Sequence, residues 1–244
     1  SRDELLLAFN LYCKTPFGQI DKSNPNIIEL ATLIGRSPSS IAWKLANFAR
    51  LDPAIQARGL SGASHGSKGE IEVWNAFNEN WDELSFESEL LLEKLQKENN
   101  YPGGEDAIDL YDSSEKEGIE REITTKVRVN QIFFRKTILA AYSSKYCITG
   151  LNIQGLLIAS HIVPWSHDTK NRLNPRNGLC LNALHDKAFD RGFLTITPKH
   201  KIVISKKIQT VDSETATNFL ITERSLIFKA KRQIWVSAGL GETI

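Results

Sequence analysis

Three side chains able to take part in phosphodiester hydrolysis stand at wide, ordered intervals in this chain of 244 residues: His161, Asn177 and His185. His161 ends the apolar run Leu156-Leu157-Ile158-Ala159-Ser160 and is followed by Pro164 and Trp165. Asn177 lies in the turn-rich stretch Asn174-Pro175-Arg176-Asn177-Gly178, and His185 follows Leu184 where a helix is expected to begin. Cleaving a phosphodiester requires an activated water, neutralised phosphate charge and a stabilised leaving oxygen. A histidine is a suitable base because its unperturbed pKa lies near working pH. His161, at the end of a buried strand, is placed for that role, and His185 can present a ring nitrogen to a metal. Asn177 can offer its carbonyl oxygen to the metal or hold the loop so that His161 points correctly. Taken singly, each residue has a plainer explanation, since most histidines are structural and an Asn before a Gly usually marks a turn. It is the conjunction that is specific.

The elements that must position these groups are legible from periodicity and punctuation. Strand-like runs occur at Tyr146–Thr149, Leu156–His161, Leu179–Asn182, Leu194–Ile196 and Ile202–Ser205. A basic helix over 126–142 precedes them, with Ile132, Phe133, Ile138, Leu139 and Tyr142 available for burial and Lys126, Arg128, Arg135 and Lys136 for phosphates. The first hundred residues read as helical. Residues 3–14 carry Leu5, Leu6, Phe9 and Tyr12 on one face. A second helix follows Asn24-Pro25 and ends at Gly35, an αL cap. Ser37-Pro38 then opens a third, the N-cap and N1-proline signature. Helix, glycine turn and Ser-capped helix match a helix-turn-helix, in which Arg36, Ser39, Ser40 and Lys44 suit a DNA groove; a plain helical hairpin fits equally. Leu60–Gly69 is a Gly/Ser-rich surface loop containing His65, and one long helix is expected from Glu70 to Glu98.

Composition narrows the class. Hydrophobic residues make up 41% and charged residues 24%, as in a soluble globular protein. No apolar run approaches the ~18 residues needed to span a bilayer, and the first residues lack a signal pattern. Three scattered cysteines, Cys13, Cys147 and Cys180, make no disulfide framework and predict a reducing cytoplasm. The net charge of +1 conceals an asymmetry: Glu79 to Glu122 holds 15 Asp/Glu and 4 Lys/Arg, leaving 26 Lys/Arg and 14 Asp/Glu elsewhere. Basic lobes around an acidic middle are compatible with nucleic acid. The expected organisation is α+β: a helical domain at 1–100 for DNA recognition or dimerisation, an acidic linker at 101–122 and a domain at 123–244 that carries His161, Asn177 and His185. A further basic segment, Phe228–Trp235, lies near the end.

From Phe134 to Ile196 the sequence resembles the HNH endonuclease family, built on a ββα-metal finger, and is closest to the restriction-type bacterial subgroup. The resemblance is carried by Phe134-Arg-Lys, Cys147-Ile-Thr-Gly150, Ser160-His-Ile-Val-Pro-Trp165, Asn174-Pro-Arg-Asn-Gly178 and Leu184-His-Asp-Lys-Ala-Phe-Asp-Arg-Gly192. It implies His161 as general base, Asn177 and His185 as the second and third letters of the motif, and His185 binding one divalent metal, Mg²⁺ or Mn²⁺. Many members carry an acid immediately before the base. Here that position is Ser160, a candidate ligand whose hydroxyl is a poor one, so the metal is expected to lean on His185, Asn177, water and phosphate, or to recruit Asp186 or Asp190. Phe189 stands one turn after His185, where a second helical ligand would otherwise sit. Cys147 and Cys180 have no CxxC partners, so no structural zinc is expected and both should be small buried apolar residues.

The function expected is a metal-dependent endonuclease cutting double-stranded DNA in restriction-type defence. Arg176 and Arg191 are phosphate contacts by guanidinium geometry, joined by Arg135, Lys136, Arg36 and Lys44. His167 and Asp168 read as a solvated loop, and His200 as a turn between strands. A single finger contacts one phosphodiester at a time, so double-strand cleavage implies a homodimer, built through the long helix at 70–98, with no membrane partner. The alternatives are a sensor-triggered or modification-dependent nuclease and a catalytically weak DNA-binding module.

Overall fold

The computed structural model describes residues 1–63, 66–101, 119–197 and 200–206, with the backbone alone for 119–124. Most of the expected acidic linker, His65, and the basic segment Phe228–Trp235 lie outside the described residues. The chain forms two compact units that divide between Thr137 and Ile138. Helices and small sheets are mixed, with the sheets confined to the second unit.

The first unit is helical: α1 (Arg2–Lys14), α2 (Pro25–Leu33), α3 (Pro38–Leu51), a single turn α4 (Pro53–Gln56), α5 (Lys68–Phe77), α6 (Trp81–Glu98), and most of α7 (Ile119–Ala141). The capping signals act as expected. Asn24 accepts the Asn26 N–H at the start of α2, and Ser37 accepts the Ser40 N–H at the start of α3. Gly35 takes φ +66 after α2, which lets the Gly35 and Arg36 amides bond back to Thr32 and Ala31 in a Schellman closure. The apolar faces meet in an aromatic core: the Phe9 ring lies 4.9 Å from Phe48 and 5.3 Å from Trp74. Tyr12 donates to the buried Asp52, 2.7 Å away, which also caps α4.

The single helix expected over 70–98 is two helices, α5 and α6. Asn78 closes the first and Asn80 opens the second, each a residue whose side chain competes with helical hydrogen bonding. Within the first unit, Asn130 of α7 donates to Asp82, and Lys126 and Lys14 lie over the Phe86 and Phe133 rings, so this part of α7 packs with the helices.

Glu70, at the third position of α5, is fully buried. Its carboxylate accepts from Lys44 Nζ at 2.9 Å, Asn47 Nδ2 at 2.9 Å and the Ser67 N–H at 2.6 Å. Burial pushes its pKa up, but those hydrogen bonds outweigh burial and hold it below its ordinary value. Removing one partner of a buried, bonded charge costs about 3–5 kcal/mol. Glu70→Ala should therefore lower stability by about 3 kcal/mol in urea unfolding followed by tryptophan fluorescence. With its folded pKa depressed, the stabilisation from Glu70 is present above the unfolded value near 4.3 and lost as pH falls through the folded value. The mutant should show a shallower loss of stability in that acid window.

The second unit contains β1 (Leu157–His161) and β2 (Gly178–Asn182), paired antiparallel with Ser160 opposite Leu179 and His161 opposite Gly178. Helix α8 (Ala183–Asp190) follows β2 directly, and β3 (Leu194–Ile196) pairs with β4 (Ile202–Ile204) as a hairpin. His200 stands in that hairpin's turn at φ +61. The run Tyr146–Thr149, expected as a strand, is a turn. Gly150 adopts φ +79 and its N–H returns to the Tyr146 carbonyl, leaving one strand-like bond, from the Cys147 N–H to the Cys180 carbonyl in β2. No helix among the described residues is long and apolar enough to cross a membrane.

Candidate active site

Ser160 is buried, 3% exposed, while the next residue, His161, is half-exposed at the end of β1. The His161 ring donates through Nε2 to the Arg172 carbonyl at 2.8 Å. A carbonyl oxygen only accepts, so the proton sits on Nε2 and the lone pair on Nδ1. Burial holds His161 below its ordinary pKa, against the opposing pull of the Arg172 carbonyl and the charges of Asp190 and Asp186. The ring is therefore neutral near pH 7 and keeps a nitrogen able to take a proton. Trp165 meets it edge-on at 5.4 Å, and the Arg172 guanidinium lies 5.1 Å over Trp165.

His185 has the opposite tautomer. Asn182, the residue that caps α8, accepts from the His185 backbone N–H at 2.8 Å with its Oδ1, and the same oxygen lies 2.9 Å from His185 Nδ1. The cap therefore requires a proton on Nδ1 and leaves the lone pair on Nε2. That nitrogen is buried and meets no hydrogen-bond partner. Burial also keeps the His185 pKa below its ordinary value.

Asn177 was left with two roles by its sequence context. Its Oδ1 accepts the Val163 N–H at 2.8 Å, and its Nδ2 donates to the Val163 carbonyl at 3.1 Å and the Asn171 carbonyl at 3.3 Å. Its backbone carbonyl takes the Ile162 N–H at 3.0 Å. Through these bonds the side chain ties the segment after His161 to the loop that precedes β2. Asn177 is the last member of a series at three-residue intervals. Asp168 accepts from Asn171, Asn171 accepts from Asn174, and Asn174 accepts the Arg176 N–H. Hydrogen bonds from Asn171 hold the Asp168 carboxyl below its ordinary pKa. This ladder holds the loop whose Arg172 carbonyl fixes His161. Asp168, Asn171 and Asn174 were not singled out from the sequence for this purpose, although the spacing Asp-x-x-Asn-x-x-Asn-x-x-Asn is visible in it.

The chemistry of His185 Nε2 fits a divalent cation. His185 Nε2 is an orphaned, neutral imidazole nitrogen held in orientation by a hydrogen bond on its other nitrogen, as metal-binding histidines are. Ser160 Oγ is a second buried atom without a partner. Asp186 and Asp190, four residues apart on α8, put negative charge near the site. Among the described residues no three His, Cys, Asp or Glu side chains converge as a ready cage. One imidazole with few protein oxygens suits an ion that retains several waters. Cys147 and Cys180 are fully buried free thiols, and burial pushes the Cys147 pKa up, so both act as small apolar packing groups.

Residues 146–197 match the family model of the HNH endonucleases. No curated protein matches the chain. The match spans His161, Asn177 and His185 together, and supports an HNH nuclease acting on DNA. Arg176 and Arg191 lie in this HNH segment, the first half-exposed in the turn before β2 and the second exposed after α8. The other expected DNA contacts belong to the first unit. Arg135 and Lys136 are half-exposed on α7. Arg36 donates to Glu4 at 3.0 and 3.1 Å, and Lys44 holds the buried Glu70. Both line a cavity of about 650 Å³ with Arg2, Ser40 and Glu72. Lys44 thus has a structural task that its sequence context did not disclose, because Glu70 lies 26 residues away.

Proposed function

We propose that the protein is a divalent-metal-dependent endonuclease that hydrolyses double-stranded DNA in restriction-type defence. The observation that carries this reading is that two histidines inside the HNH segment meet protein oxygens through opposite ring nitrogens, His161 through Nε2 and His185 through Nδ1. His161 keeps a lone pair on Nδ1 for a water proton, and His185 keeps one on Nε2 for a cation. His161 takes the proton from the attacking water. Asn177 and the asparagine ladder keep the Arg172 carbonyl on Nε2, so the ring stays in the base-competent tautomer. His185 and Ser160 would hold Mg²⁺ or Mn²⁺, which neutralises phosphate charge and stabilises the leaving oxygen. Asp186 and Asp190 add negative charge near the site, and Arg176 and Arg191 grip flanking phosphates.

On this reading the first unit holds DNA through α2 and α3 in the manner of a helix-turn-helix, aided by Arg135 and Lys136 on α7. Cutting both strands calls for two copies, each attacking one strand, in the cytoplasm. A second reading, a modification-dependent nuclease, is favoured by the engagement of Arg36 and Lys44 with carboxylates. Residues already paired are poor general phosphate contacts, whereas the cavity they line is of a size that takes a small ligand group.

The cation site has its own test. His185→Ala should lose Mn²⁺ binding by calorimetry and, with it, plasmid cleavage, while circular dichroism stays that of the wild type. Undiminished Mn²⁺ affinity in this variant would remove His185 from the site.

A further inference from the structure

Three buried polar atoms of the HNH segment meet no hydrogen-bond partner: the Tyr146 hydroxyl, Ser160 Oγ and His185 Nε2. Their residues are 1%, 3% and 4% exposed and come from separate places in the chain, the turn closed by Gly150, β1 and α8. Two of these residues pack ring against ring: the Tyr146 and His185 centroids are 5.6 Å apart with the planes tilted by 37°. Tyr146 is fixed at the backbone. Its N–H donates to the Leu151 carbonyl and its carbonyl accepts from Gly150, both at 2.8 Å, while the next amide bonds β2 through the Cys180 carbonyl at 2.9 Å.

A phenylalanine would fill this place as well. What tyrosine adds is an O–H, and burying an O–H with nothing to bond is unfavourable. Its ring packs against the His185 imidazole, whose Nε2 has a lone pair and no donor. A hydroxyl donor and an imidazole acceptor could satisfy one another, yet neither is bonded. A tyrosine phenol is protonated at neutral pH and is therefore a donor.

We propose that Tyr146 is a positioning residue of the cation pocket: its ring holds the His185 imidazole, and its hydroxyl hydrogen-bonds the hydration water of a divalent cation taken by His185 Nε2. The inference rests on the reading of His185 as the cation's ligand. It gives the Tyr146 hydroxyl and His185 Nε2 the partner that both lack within the fold. It also gives the first residue of the HNH match, Tyr146, a task.

The test compares Tyr146→Phe and His185→Ala with the wild type, using Mn²⁺ calorimetry and thermal unfolding in EDTA and in Mn²⁺. Tyr146→Phe keeps the ring, so in EDTA it should unfold at or above the wild-type temperature. Its Mn²⁺ affinity should fall about tenfold, as for other groups that support a metal ligand from outside, and its Mn²⁺-induced rise in unfolding temperature should be smaller. His185→Ala should bind no Mn²⁺. Wild-type Mn²⁺ affinity in Tyr146→Phe, with binding lost in His185→Ala, would overturn the role of Tyr146 alone. Loss of stability by Tyr146→Phe in EDTA would also overturn it, because the hydroxyl would then have a partner within the fold. Wild-type affinity in His185→Ala would overturn the proposal together with the reading beneath it.

Discussion

His161→Ala is expected to lower plasmid cleavage by about 10²–10⁴-fold, the usual contribution of a positioned acid–base group, with Mn²⁺ affinity and DNA affinity left at wild-type levels. The separation follows from the geometry. His161 places Nε2 on the Arg172 carbonyl, which puts the ring's lone pair on Nδ1, the nitrogen proposed as the base. The cation is assigned to His185, whose orientation is set by Asn182 on a different element. The ring is half-exposed, and its loss frees a carbonyl that water can reach, so the fold should survive. A fall in Mn²⁺ affinity equal to the fall in rate would instead make His161 a ligand.

Asn177→Ala should have the second large effect, and for a different reason. The side chain is 7% exposed and makes three hydrogen bonds to the Val163 and Asn171 backbone. Each buried group left unpaired costs about 1–3 kcal/mol, so a loss of about 3 kcal/mol in the second unit is expected even with EDTA present. Cleavage should fall as well, since the loop carrying the Arg172 carbonyl is no longer tied to the segment after His161. Asn177→Asp separates the two roles proposed for this residue. A ligand would tolerate or welcome a carboxylate, whereas a pin loses both Nδ2 bonds and gains an unpaired charge. The aspartate variant should therefore be at least as unstable as the alanine variant and gain no affinity for Mn²⁺. An aspartate variant with wild-type stability and tighter Mn²⁺ binding would restore the ligand role.

Much of this site is local chemistry and was legible for that reason. Asn24-Pro25, Ser37-Pro38 and Gly35 mark helix ends whose signals span three or four residues, and the structure forms those ends where they stand. The order His161, Asn177, His185 is likewise a property of strand, loop and helix in sequence. What could not be read depends on distant partners. The tautomer of His161 is set by a carbonyl eleven residues on, and the duty of Lys44 by Glu70 on another helix. Tyr146–Thr149 has strand composition, but Gly150 turns it. The long apolar periodicity of 70–98 hides a break, because the spacing on either side of Asn78–Asn80 is helical. Asn177 shows the mixed case: its place in a turn was plain, whereas the groups its amide would reach were not.

The most direct test of the central claim is digestion of supercoiled plasmid, prepared with and without base modification, by the wild-type protein in Mg²⁺, in Mn²⁺ and in EDTA. The account predicts nicked and linear products in at least one metal on at least one DNA, none in EDTA, and none from His161→Ala under the cutting condition. Cleavage that persists in EDTA, or at the wild-type rate in His161→Ala, would contradict it, as would intact plasmid under every metal and modification state.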